Sequence, residues 1–86
     1  MPRRSRTLQR VLSGRSDASI RFRDFTAMIR SLGFDERVRG DHYIYSNPRI
    51  SEIINVQPNG SMAKAYQVRQ VRLLIQQYGL GDSENE

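Results

Sequence analysis

FDERVRGDHYIYSNPRISEIINVQ, residues 34–57, is the stretch whose reading decides the fold. Across residues 34–39 the helical spacing of the preceding segment shortens, and Gly40 and Asp41 supply a turn. Residues 42–46 then alternate two tyrosines with an isoleucine, the two-residue period of a strand. Asn47 and Pro48 mark the next turn. Residues 52–57 carry Ile53, Ile54 and Val56 and read as a third strand, stopped by Pro58, Asn59 and Gly60.

On both sides of this stretch the spacing is helical. Phe22, Phe25, Met28 or Ile29, and Leu32 recur on one face, with Gly33 as the C-terminal stop. Residues 65–78 place Val68, Val71, Leu74 or Ile75, and Tyr78 on one stripe that ends at Gly79. A shorter turn over residues 7–12 gathers Leu8, Val11 and Leu12 and closes at Gly14. The main order is αβββα, an α+β domain. Two amphipathic helices and a three-stranded antiparallel meander close a core when both helices lie on one face of the sheet, leaving the other face in water. On the second strand His42, Ile44 and Ser46 point one way and Tyr43 and Tyr45 the other. Taking Ile44 as inward puts His42 at the edge of the sheet, where a strand-end residue still reaches solvent.

With 86 residues, 37% of them hydrophobic, the chain builds one small core. It has no cysteine, which excludes disulfides and thiolate zinc sites, and one histidine, which excludes His-rich metal clusters. The carboxylates lack calcium-loop spacing, so no metal and no cofactor are expected. The N-terminus has no apolar signal region and no stretch approaches the roughly 20 apolar residues of a membrane span. A cytoplasmic protein without membrane contact is the expectation.

The net charge of +5 is unevenly placed. Residues 1–16 carry Arg3, Arg4, Arg6, Arg10 and Arg15 and no acid, so they read as a basic N-terminal arm, with or without a short helix. Residues 17–80 form the domain, moderately basic, and residues 81–86 form an acidic flexible tail with Asp82, Glu84 and Glu86. Thirteen of the fourteen basic residues are arginine, a bias that suits bidentate contacts to phosphate or carboxylate. Polyanion attraction follows.

His42 is the candidate chemical group. A lone imidazole beside a glycine and among arginines exchanges a proton near neutral pH while cations hold a phosphate. Arg37, Arg39 and Lys64 are the candidate charge stabilisers, with Lys64 at the mouth of the last helix, where the dipole favours phosphate. Gly40 serves the turn or a close approach of backbone to phosphate. Tyr43 and Tyr45 are either packing residues or platforms for stacked bases. Arg69 and Arg72, three apart on the last helix, read as a solvated stripe.

Over residues 20–80 the chain resembles the HicA toxins of bacterial and archaeal toxin-antitoxin pairs. The resemblance rests on LGF at residues 32–34, the arginine-flanked run ending in RGDH at residue 42, NVQP at residues 55–58 and YQVRQVRLLIQQYGL at residues 66–80. The lead-in LSGRSDASIRF, residues 12–22, is similar to one branch of that family. The resemblance implies an αβββα fold like a double-stranded RNA-binding domain, an mRNA interferase (an endoribonuclease acting without metal), and silencing by a cognate HicB-type antitoxin. It makes His42 catalytic. The family usually reads Gly-Ser-His, often followed by a second histidine; this chain has Asp41 and Tyr43 at the flanking places. A carboxylate there repels phosphate and favours the protonated ring where the two side chains meet, so weakened activity is expected. Some members carry a histidine after the third strand, where this chain has Gln57, Pro58 and Asn59.

The implied chemistry is transesterification, in which RNA brings its own nucleophile, the ribose 2′-hydroxyl. Two other readings stay open: an RNA-binding module of the same fold without chemistry, and a domain whose basic arm recruits an acidic protein.

Overall fold

The computed structural model describes residues 5–81 and is α+β, with three helices and a three-stranded antiparallel sheet. Helix α1 (Arg6–Ser13) is followed by a 3₁₀ turn (Asp17–Ser19) and helix α2 (Phe22–Ser31). Strands β1 (Asp35–Arg39), β2 (His42–Asn47) and β3 (Ile50–Val56) form the sheet in sequence order. A hairpin of β4 (Pro58–Asn59) and β5 (Met62–Ala63) precedes helix α3 (Ala65–Tyr78).

The hydrophobic period explains which faces close. Phe22, Phe25, Met28 and Ile29 of α2 and Val68, Val71 and Ile75 of α3 are buried against Tyr45, Ile50, Ile54 and Val56 of the sheet. Both α2 and α3 therefore cover one face of the sheet. Fully burying side chains of this size stabilises the domain by about 1.5–3 kcal/mol each, before chain entropy is set against it. The opposite face carries Asp35, Arg37 and Arg39 on β1, His42 and Ser46 on β2, and Asn55 on β3, all exposed.

The inward face of β2 differs from the sequence expectation. Tyr43 and Tyr45 point toward the helices, and Ile44 lies half-buried on the open face beside the 60% exposed Ile53. An inward tyrosine buries more apolar area than an isoleucine provided its hydroxyl finds a partner. Tyr45, fully buried, donates to Glu36 Oε2 at 2.6 Å, and that carboxylate also accepts from Arg30 Nη1 at 2.9 Å. The Tyr45 hydroxyl holds the Glu36 carboxyl below its usual range, with Arg30 adding to the effect. Burial and the same carboxylate push the Tyr45 phenol up. The Tyr43 ring meets Phe22 edge-on, with centroids 4.9 Å apart.

Arg72 is a second correction. It is no part of a solvated stripe: its guanidinium donates to both carboxylate oxygens of Asp17, at 2.9 and 3.2 Å, and to the Val11 carbonyl at 3.0 Å. It thereby ties α3 to α1 and to the 3₁₀ turn, where both partner side chains are about one-sixth exposed.

Helix α1 buries Leu8 and Val11 in the same core, with Ser5 capping its first turn through Leu8 N at 3.0 Å. The segment expected as a basic arm thus contributes to the core from Leu8 onward. Residues 1–4 of that arm and residues 82–86 of the acidic tail lie outside the described residues. Among the described residues no helix is long and apolar enough to cross a membrane.

Candidate active site

Strands β1 and β2 are joined by Gly40 and Asp41, with Arg39 and His42 as the pair that closes the hairpin. Gly40 adopts φ 61°, a conformation that L side chains avoid and that the first residue of a tight two-residue hairpin requires. Nothing lies within 4 Å of where its Cβ would stand, so the turn itself accounts for the glycine. Residues paired across a ladder share a face, so the register places Arg39 beside His42 and Arg37 beside Ile44. Neither arginine makes an ion pair or side-chain hydrogen bond among the described residues. Their charge is free to meet an anion.

The His42 side chain is 48% exposed on the open face, so the ring stands in solvent and not beneath the helices. Asp41 Oδ1 lies 3.8 Å from Nε2, a loose approach. On the β3 side Asn55 Oδ1 lies 3.4 Å from Nδ1. The Gln57 side-chain nitrogen lies 3.0 Å from Nδ1 and 3.2 Å from Nε2.

The orientation of Gln57 follows from its other neighbour. Lys64 Nζ, which is only a donor, lies 3.3 Å from Gln57 Oε1. The amide oxygen therefore faces the lysine and the amide N–H₂ faces the imidazole. A donor pointed at a ring nitrogen occupies the lone pair there, so that nitrogen takes up a proton only as the amide N–H is displaced from it. The Gln57 backbone is held in turn, its N–H donating to Gln67 Oε1 of α3 at 3.1 Å; Gln67 is buried.

The β4–β5 hairpin brings these groups together. It pairs Pro58 with Ala63 and Asn59 with Met62, setting Gln57 and Lys64 side by side at its base. It is fixed to the first residue of α2 by Phe22 N to Ser61 O and to the segment before it by Ala63 N to Ile20 O, both at 2.8 Å. Sequence reading gave residues 58–60 only as a turn, since two-residue strands leave no period.

Of the residues singled out from sequence, His42, Arg39 and Gly40 lie together at one hairpin and Lys64 reaches His42 through Gln57. Arg37 sits further along β1 on the same face. Gln57, Asn55 and Gln67 were missed as site residues. The one signal for Gln57 was its position after the third strand, in the stretch 57–59 where some members of the resembling family carry a histidine. No group of three or more His, Asp or Glu side chains among the described residues comes together to hold a metal ion. The arrangement can bind an anionic backbone, accept a proton at an oriented imidazole and place positive charge nearby.

No family model, no curated protein and no solved structure matches this chain.

Proposed function

We propose that this chain is a HicA-like toxin ribonuclease, a metal-independent mRNA interferase with the fold order of a double-stranded RNA-binding domain. The observation that carries the reading is the solvent-facing His42 ring oriented by Gln57, with Arg39 paired beside it on the open face.

His42 takes the proton of a ribose 2′-hydroxyl as its oxygen attacks the adjacent phosphorus. The bond from phosphorus to the 5′ oxygen breaks, a 2′,3′-cyclic phosphate forms, and the departing oxygen takes a proton from solvent. Arg37, Arg39 and Lys64 offset the charge that gathers on the nonbridging oxygens. Gln57 positions the ring and transfers no proton, because an amide does not titrate in this range. The substrate is mRNA in the cytoplasm. The partner is a HicB-type antitoxin that covers the open face and its arginines.

The test is direct. Purified protein is incubated with RNA and with DNA of the same sequence in chelator, beside His42→Ala. The reading expects RNA cut to cyclic-phosphate ends, DNA intact because deoxyribose lacks the nucleophile, and the variant inactive. Cleavage that survives in His42→Ala overturns it.

A non-catalytic RNA-binding module is the second reading. It is favoured by the chain's single histidine, which leaves no second imidazole beside His42 to protonate the departing oxygen. RNA retained but never cut decides for it.

A further inference from the structure

On the other side of β2 from His42, a groove of about 380 Å³ runs between the start of α2 and the β4–β5 hairpin. Arg21, Arg23, Phe22, Tyr43, Pro58 and Ser61 are among the residues that line it. Its volume falls within the range of small-molecule sites, roughly 300–1,000 Å³. Its chemistry is mixed: an aromatic ring and a proline for walls, two arginines at the mouth.

Two observations tie it to a ligand. Arg21 and Arg23 are exposed and have no acidic partner or side-chain hydrogen bond among the described residues, whereas Arg30 and Arg72 are paired. The groove and the candidate site, on opposite sides of β2, are also joined by the backbone that carries both. Tyr43 follows His42 and Pro58 follows Gln57, so each wall residue is the chain neighbour of a site residue, about 3.8 Å away at Cα. Alternation along β2 sends His42 to one side and Tyr43 to the other.

We propose that this groove binds a nucleotide of single-stranded RNA next to the phosphate held at His42, its base against Tyr43 and Pro58 and its phosphate at Arg21 and Arg23. The inference rests on the ribonuclease reading for its choice of ligand. A single base fits a groove of this size, and a base in a duplex, stacked on both faces, does not enter it. The charge is complementary to phosphate, and stacking on an aromatic face tolerates any base, so the groove strengthens binding without fixing a sequence.

The experiment uses a 12-nucleotide oligoribonucleotide of mixed sequence, 2′-O-methylated at every ribose so that it cannot be cut. Its affinity is measured by fluorescence anisotropy across a salt series, single-stranded and as a duplex. Two variants are compared with the wild type. Arg21→Ser with Arg23→Gln places a good helix cap at position 21 and so preserves folding. Tyr43→Leu keeps an apolar partner for Phe22. Urea midpoints confirm that both are folded.

The expected result is a loss of single-strand affinity of about tenfold in each variant. In the arginine variant the salt slope also falls by about 0.7 for each phosphate contact removed. The wild type should prefer the single strand to the duplex. Wild-type affinity in both folded variants overturns the proposal and assigns the groove to something other than RNA. If RNA with free 2′-hydroxyls is cut normally by both, the groove falls and the ribonuclease reading stands. If binding drops in the variants but the wild type never cuts RNA, the groove stands and the catalytic reading falls.

Discussion

The side-chain nitrogen of Gln57 lies 3.0 Å from Nδ1 of His42, and the oxygen of the same amide faces Lys64 at 3.3 Å. One uncharged group thus separates a cation from an imidazole and aims the ring. Replacing it by Leu removes both contacts while leaving the Gln57 backbone bond to Gln67. Cleavage by Gln57→Leu should fall by about ten- to a hundredfold with substrate affinity nearly unchanged, the signature of lost positioning. Single-turnover kinetics over a range of RNA concentrations check it.

His42 is half-exposed on the open face and is not part of the hydrophobic core. His42→Ala should abolish cleavage, by about 10²–10⁴-fold, yet shift stability by no more than about 0.5 kcal/mol. A urea melt beside a cleavage assay separates the two effects. Loss of folding would mean that the ring has a structural role.

Arg72 and Asp17 form an ion pair mostly withdrawn from solvent, and Arg72 also satisfies the Val11 carbonyl. Removing Arg72 strands the Asp17 carboxylate and leaves the Val11 carbonyl with only the Gly14 N–H, at 3.3 Å. Arg72→Met should cost about 2–4 kcal/mol of stability, somewhat less than the loss of one member of a fully buried pair. The urea midpoint measures it, and the double variant Arg72→Met with Asp17→Leu should recover part of the loss.

The Glu36 carboxyl is held below its usual range, first by the Tyr45 hydroxyl and then by Arg30. A carboxylate of lowered pKa stabilises the fold at pH values above its unfolded value, about 4.3, and that contribution disappears as pH falls through the folded value. Stability should therefore decline with acidification below about pH 4.3, and Tyr45→Phe should flatten that decline. At neutral pH the same variant should cost about 1–2 kcal/mol for the lost bond to a charged acceptor. Urea midpoints from pH 3 to pH 7 test both signs.

Gly40 has open space around its missing side chain, so only its positive φ opposes substitution. Gly40→Ala should lower stability by about 1–2 kcal/mol. It should lower cleavage as well, because the hairpin it strains carries Arg39 and His42. Wild-type stability in this variant would show that the turn tolerates a side chain.

Much of this architecture is legible in the chain because hydrophobic spacing is strong where it matters. Phe22, Phe25 and Ile29 mark α2, and Val68, Val71 and Ile75 mark α3, whose bounds agree with the spacing. The strands follow from the turns at Gly40 and at Pro48. The inward face of β2 was misread because hydropathy ranks isoleucine above tyrosine, while the structure satisfies the Tyr45 hydroxyl on Glu36, a partner nine residues away. Arg72 was misread for a related reason: its acid lies 55 residues upstream, beyond any local pattern. In the site, His42, Gly40 and Arg39 were legible because they are adjacent in sequence. The Gln57 bridge was not, since amides carry no period and their meeting depends on a hairpin of two-residue strands.

The Arg72 clasp also bears on how the molecule comes into being. Its bond to the Val11 carbonyl spans 61 positions, so this tie on the first helix forms only after residue 72 has been made. During synthesis the strands bearing His42 leave the ribosome well ahead of their final support, and long-range closure of this kind slows folding. A nascent or prematurely terminated chain therefore lacks the finished scaffold.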